Sequence, residues 1–276
     1  MFKSCSCYCN CTIILSMIYI AFSFFTLLIL CIAFYQWQYY MIFSPVYYRE
    51  SVLNDDFEML SIVTEDKVKL EGVVYEPKVI HATLLFFGGR SHDTVGLIDK
   101  LSENFPNTRV ITFNYRSYGK STGKATEENI FNDGVQIASL VQKNYGDFYI
   151  MGFSLGSSVA AYVASQVSSL GVFLIGSFDT IASLAREKFV EKGIFPMIDF
   201  SPIFRYKFDN KKHVQSINAK TYLFVSRDDE TTYIQNARNL KKYIKNLVIY
   251  TEYEGLGHQE LLWHKDVISK INGVIQ

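Results

Sequence analysis

Phe148-Tyr149-Ile150-Met151-Gly152-Phe153-Ser154-Leu155-Gly156-Ser157-Ser158-Val159-Ala160-Ala161-Tyr162 runs from an apolar, aromatic segment through Gly-x-Ser-x-Gly into a small-residue amphipathic one. The pentapeptide alone arises by chance in roughly one chain in ten of this length, so its setting has to carry the reading. An apolar strand before the motif and a helix after it form the sharp strand-turn-helix that lifts a serine hydroxyl above a sheet. Gly152 and Gly156 are needed because a Cβ at either position would crowd the strand or the helix. The helix N-terminus behind Ser154 favours negative charge developing there.

Outward from this stretch, short β-branched or aromatic runs bounded by Gly, Asn, Asp or Ser alternate with amphipathic ones. Strands are predicted over Leu60–Thr64, Val68–Tyr75, Thr83–Phe87, Val110–Asn114, Phe148–Phe153, Gly171–Ile175, Thr221–Ser226 and Leu247–Tyr253. Helices are predicted over Val95–Asn104, Glu127–Asn144, Ser157–Ser168, Gln235–Lys242 and His258–Asn272. This pattern implies an α/β fold, a mostly parallel sheet of the eight-stranded type with helices on both faces. Residues 178–213, irregular and holding Pro196 and Pro202, read as a short cap.

A serine hydroxyl is a weak nucleophile near neutral pH and needs a base, which in turn needs an orienting acid. Of the five histidines, His81 precedes a strand, His92 follows one in a loop, His213 falls in the cap and His264 is expected mid-helix. His258 stands in a glycine-bearing loop, Glu254-Gly-Leu-Gly-His258, between the last strand and the last helix. Alone it would read as a polar helix-start residue; with Ser154 upstream it is the candidate base. The acid is expected between them in the chain. The strand Thr221–Ser226 ends in Arg227-Asp228-Asp229-Glu230, at the strand end where functional side chains gather in parallel sheets. Adjacent residues there point to opposite sides, so only one aspartate faces the histidine. The oxyanion donors are expected to be the N–H of Leu155 and that of Arg90, in the Phe87-Gly88-Gly89-Arg90-Ser91 loop, where Gly88 and Gly89 let backbone approach a substrate. Acyl transfer by such a set calls for no metal and no organic cofactor.

With these residues in view, the chain resembles, from about Tyr48 to its end, the α/β-hydrolase-domain proteins that carry one N-terminal anchor and a minimal cap, among them membrane serine hydrolases and protein depalmitoylases. Beyond the elbow the likeness rests on Phe113-Asn-Tyr-Arg-Ser-Tyr-Gly-Lys-Ser121-Thr-Gly, similar to the family's DYRGYGxSxG stretch, and on Ile175-Gly-Ser-Phe-Asp-Thr, Phe208-Asp to Ser226, and Gly257-His258. The family's G-x-x-D spacing, with Ser226 in the glycine position, implies Asp229 as the acid. The chain departs from the family where Gly88-Gly89-Arg90-Ser91 replaces His-Gly-Asn-Ala, where Asn114 replaces an aspartate, and where Ser226 and Thr232 replace Gly and Val. The resemblance implies a Ser154–His258–Asp229 triad that cleaves an acyl ester or thioester, of a lipid or an S-acylated protein. A peptidase or amidase on the same fold, and a tethered scaffold without catalysis, are the other readings.

Thr12 to Tyr35 holds no charge and is long enough to cross about 30 Å of hydrocarbon, with Trp37, Tyr39 and Tyr40 following as an interfacial belt. The run is too long for an ordinary signal peptide and no small-residue cleavage site follows it. The expected layout is a Cys-rich segment at 1–11, a membrane anchor at 12–35, a juxtamembrane linker at 36–56 and a catalytic domain at 57–276. On that layout, a chain beginning at Tyr48 would fold and work alone. Lys3 before the span, and Arg49 among acidic residues after it, favour an inside N-terminus and an outside domain. All five cysteines precede residue 32, so no disulfide ties the domain; Cys5, Cys7, Cys9 and Cys11 suit S-acylation, or a leader with no role, better than a metal. Lys plus Arg equal Asp plus Glu at 27 each, so no basic excess exists to neutralise phosphates and no nucleic-acid partner is expected.

Overall fold

The computed structural model describes residues 5–47, 57–193 and 201–276, with the backbone alone at 5–13. Lys3, Arg49, Pro196 and the side chains of Cys5, Cys7, Cys9 and Cys11 therefore lie outside the described residues. Two compact units divide at Ile42/Phe43.

The first unit is one helix, α1 (Cys5–Ile42). Its stretch Ile14–Ile42 is long and apolar enough to span a membrane, and it leaves side chains such as Ile20, Phe22 and Ile29 exposed. The helix outruns the expected anchor end at Tyr35, because no Gly or Pro interrupts residues 36–42. It stops before Ser44-Pro45, since the residue preceding a proline is pushed out of the helical region.

The second unit holds β1 (Phe57–Val63), β2 (Lys69–Tyr75), β3 (Ala82–Phe87), α2 (Ile98–Asn104), β4 (Thr108–Phe113), α3 (Glu127–Tyr145), β5 (Tyr149–Phe153), α4 (Leu155–Gln166), β6 (Gly171–Ile175), α5 (Ile181–Glu191), α6 (Asn210–Val214), β7 (Lys220–Ser226), α7 (Ile234–Lys241), β8 (Leu247–Tyr253), α8 (His258–Leu262) and α9 (Lys265–Ile275). Among the described residues, eight strands form one sheet in the order β1-β2-β4-β3-β5-β6-β7-β8. The β1–β2 and β2–β4 pairs are antiparallel and every other pair is parallel. The central strands are buried on both faces, which is why they read as unbroken apolar runs rather than alternations. Strand order reverses at β3, so the carboxyl ends of β3 and β5 flank a topological switch point, where such sheets build their sites.

Local chemistry sets the helix limits. Thr126 Oγ1 accepts from Asn129 N at 3.1 Å to start α3, and Gly146 at φ +80° ends it. The predicted single helix from His258 to Asn272 is two. Leu261 and Leu262 are buried, but a continuous helix would bring Lys265 and Asp266 to the core next. The break at Trp263-His264 rephases the chain so that Val267, Ile268, Ile271 and Ile275 face inward instead. His264 thus caps α9 rather than lying mid-helix.

The folded unit begins at Phe43, earlier than the expected boundary at 57. Phe43 is fully buried against Tyr206 and Phe208. Ser44 N donates to Arg90 O and to Tyr118 Oη at 3.2 and 3.0 Å, and Gly119 N donates to Val46 O at 2.8 Å. Residues 43–47, expected as linker, therefore form a strap across the domain. The cap region contains α5, a short 3-10 turn at Ser201–Ile203 and α6. It is rooted by Asn210, whose Nδ2 donates to Ser158 Oγ and Phe178 O at 2.9 and 2.8 Å.

His213 on α6 meets Phe131 and Tyr162 edge-on, and those two rings stack 4.4 Å apart. Burial holds its pKa down to about 4, with Asp209 acting against and Lys212 adding to the depression. The unfolded chain takes up a proton near pH 6.5 that the folded chain refuses until about 4. Stability is accordingly predicted to fall as pH drops through that window and to level off below it. After allowance for partial exposure the loss is about 2 kcal/mol. Urea midpoints at pH 7 and 4.5 check this: His213→Phe should lose less stability between them than the unaltered chain. Equal losses would remove His213 as the cause.

Candidate active site

Ser154 sits at the tip of β5 with φ +54° and ψ −121°. Such a conformation is costly for a residue with a Cβ, and it aims the hydroxyl away from the sheet. The flanking glycines are dictated by contact. A Cβ on Gly152 would stand 2.2 Å from Gly156 O, and one on Gly156 2.1 Å from Phe87 O. The turn can close only without them.

Ser154 Oγ lies 2.8 Å from His258 Nε2, and His258 Nδ1 lies 2.7 Å from Asp229 Oδ2. All three residues are buried. Ser154 follows β5 directly, His258 is the first residue of α8 and Asp229 lies on the loop after β7; the fold brings them into one line. Asp229 Oδ1 also accepts from Thr231 N and Thr232 N, and Oδ2 from Thr232 Oγ1. Burial alone would push the Asp229 carboxyl up, but the bonds and charge of His258 and the Thr232 bonds outweigh it and hold the carboxyl below its ordinary range.

Neighbours of these three residues fix the histidine loop. Asp228, exposed, accepts from Gly255 N at 2.6 Å, and Glu230 Oε2 accepts from His258 N at 3.1 Å. Ser226 Oγ donates to Leu256 O at 2.6 Å. Glu260 closes the start of α8 by accepting from Gly257 N at 2.9 Å. The two departures from the family near the acid, Ser226 and Thr232, thus each hold part of the site. Gly176 at φ +55° backs the imidazole: a Cβ there would stand 3.2 Å from His258 Cε1.

Leu155 opens α4, so its N–H has no acceptor within the helix. Gly89 lies beside the serine; a Cβ on it would be 3.5 Å from that of Ser154. The loop around it is braced from the Asn114–Ser121 stretch. Tyr115 Oη donates to Gly88 O at 2.9 Å and Tyr118 Oη to Arg90 O at 2.6 Å. Arg116 clamps Asp133 at 2.8 and 2.7 Å and also pairs with Asp66, securing the stretch itself. Asn114 is a hub: Oδ1 accepts from Thr94 N and Oγ1, while Nδ2 donates to Glu71 Oε2 and Asp93 Oδ1. Between two buried carboxylates an amide donates where the family's aspartate would add a third negative charge.

His92 is the residue that sequence reasoning passed over. Its Nδ1 accepts from Gly89 N at 3.2 Å and its Nε2 meets Gln259 Oε1 at 3.1 Å. The ring stacks on Phe153, 5.4 Å between centroids. Its position just past the Gly-Gly loop was the available signal. Among the described residues no cluster of His, Cys, Asp and Glu is arranged to hold a metal ion.

No protein-family model matches the chain. Among curated proteins, an uncharacterized protein of Acanthamoeba polyphaga mimivirus is 26% identical over 121 residues, 41% of each chain, so the match spans well under half of that relative. Solved structures are similar over most of the chain. An esterase of Pyrococcus furiosus is 17% identical at a TM-score of 0.64, covering 84% of this chain and 98% of its own. The hydrolase GrgF of a Penicillium species is 11% identical at 0.63, covering 79% and 97%. The esterase domain of a Rhodothermus marinus protein is 16% identical at 0.57, covering 79% and 95%. The chain has the α/β-hydrolase fold.

Proposed function

We propose that this chain is a membrane-anchored serine hydrolase that cleaves acyl esters or thioesters presented at a bilayer. The observation that carries the reading is the continuous line from Ser154 Oγ through His258 to Asp229, with 2.8 and 2.7 Å links, at the start of α4. In the proposed reaction His258 Nε2 takes the Ser154 proton as Oγ attacks the acyl carbonyl. Asp229 keeps Nδ1–H directed at itself and stabilises the imidazolium. The N–H groups of Leu155 and Arg90 take the oxyanion. His258 then protonates the leaving oxygen or sulfur. A water, deprotonated by the same nitrogen, frees the acid and restores Ser154.

Several structures sharing the fold are described as esterases, which favours ester cleavage over amide cleavage. The apolar helix α1 favours a substrate met at the membrane. A substrate panel on the full chain in lipid nanodiscs tests the class: an ester chain-length series, an acyl thioester and a matched amide. Faster turnover of esters or thioesters is expected. Preference for the amide would transfer the site to peptidase chemistry.

A further inference from the structure

His92 bears on the proposed oxyanion loop from both sides of Gly89. Gly89 N–H donates to His92 Nδ1, and Gly89 O accepts from His92 N at 3.2 Å. The first bond fixes the peptide joining Gly88 to Gly89, whose other end is held by Tyr115 Oη on Gly88 O. The second fixes the peptide joining Gly89 to Arg90. In a planar trans peptide the N–H points opposite to the C=O, so turning Gly89 O toward His92 turns Arg90 N–H the other way. One residue thus sets the plane of both peptides that neighbour Ser154.

The imidazole is itself held by the two catalytic elements. It stacks on Phe153, the residue before Ser154, at an interplanar angle of 8°. Its Nε2 reaches Gln259, the residue after His258. For Nδ1 to accept from Gly89, the proton must sit on Nε2, where it donates to Gln259 Oε1. We propose that His92, as the neutral Nε2–H tautomer, is a positioning residue that aligns the oxyanion loop and ties it to the helix carrying His258. This rests on the serine hydrolase reading above. Burial holds the His92 pKa below its ordinary value, the Gln259 bond working against this and the charge of His258 adding to it, so the ring stays neutral where the mechanism needs an acceptor.

Three variants of the full chain in nanodiscs test it, with an ester substrate and a fluorophosphonate probe. His92→Phe keeps a stacked ring and removes the acceptor. His92→Asn returns an acceptor oxygen near the Nδ1 position. Ser154→Ala controls for uncatalysed turnover. Deleting a whole oxyanion donor costs on the order of 10²–10³ in kcat, and misaligning one is expected to cost up to about 10². The expected result is a fall of about that size in kcat for His92→Phe with KM little changed, and recovery of about tenfold by His92→Asn. Wild-type kcat in His92→Phe, or a loss shared equally by both variants, would overturn the proposal while leaving Ser154 chemistry intact. An unaltered chain that neither turns over nor labels would instead overturn the hydrolase reading and this proposal with it. Should the phenylalanine variant not fold, the side-chain ¹⁵N spectrum of histidine-labelled wild-type protein decides: an Nε2–H tautomer at His92 supports the proposal, and an Nδ1–H tautomer overturns it.

Discussion

Asp229→Asn is expected to lower kcat by on the order of 10⁴, while Asp228→Asn lowers it little. Both are aspartates at the end of β7, and only their placement separates them. Asp229 is buried with Oδ2 on His258 Nδ1, and its oxygens take three further hydrogen bonds from Thr231 and Thr232. With every approach a donor, an asparagine amide must set its own NH₂ against one of them or against the imidazole. If it faces His258, it selects the tautomer with the proton on Nε2, and Ser154 loses its base. Asp228 is exposed and holds only Gly255 N, a bond that asparagine's oxygen can keep. Measuring kcat for both variants side by side checks this. If Asp228→Asn is the crippled one, Asp229 is not the orienting acid.

A chain that begins at Tyr48 is expected to be unstable and inactive, and one that begins at Phe43 to fold. The truncation at 48 removes Phe43, whose buried ring is worth about 3–5 kcal/mol by analogy with Phe→Ala changes. It also removes the Ser44 and Val46 backbone contacts to Arg90, Tyr118 and Gly119, each worth about 1 kcal/mol. Set against a total stability of about 5–15 kcal/mol, that loss consumes most of it. The Arg90 contact also bears on the loop next to Ser154, so activity suffers even where the fold survives. Urea unfolding followed by tryptophan fluorescence, with ester turnover on the same samples, tests the pair. Equal midpoints for the two chains would show the strap to be dispensable.

What could be read from the sequence and what could not divide along one physical line. The strands around Ser154 are buried on both faces, so their side chains announce them locally, and the elbow glycines announce a turn that tolerates no Cβ. Gly171–Ile175, buried throughout, matches its predicted limits for the same reason; Leu247–Tyr253, a half-exposed edge strand, matches its limits through its β-branched and aromatic residues. Alternation at a strand end said only that one of Asp228 and Asp229 faces the histidine, and the family's G-x-x-D spacing implied Asp229, whose Oδ2 lies 2.7 Å from His258 Nδ1. Phe43 was not legible. It follows an apolar helix, and its burial depends on Tyr206 and Phe208, far along the chain, with nothing in Phe43-Ser-Pro-Val to signal it. The two-helix C-terminus was legible in principle, since Lys265 and Asp266 fall where an unbroken helix would need apolar residues. Asn114 stood out as a departure from the family, but its reason lies in Glu71 and Asp93, which only the fold brings around it. His92 carried one signal, its place just past the Gly-Gly loop; its role depends on Phe153 and Gln259, which only the fold brings to it.

The central claim is that Ser154 is a nucleophile activated by His258, and covalent trapping tests it most directly. The full chain, reacted with a fluorophosphonate and digested, is predicted to carry a single adduct on the peptide containing Gly152-Phe-Ser154-Leu-Gly156. Ser154→Ala, shown by circular dichroism to keep the fold, is predicted to carry none. An adduct on another serine, or no adduct on a folded wild-type chain, would contradict the account.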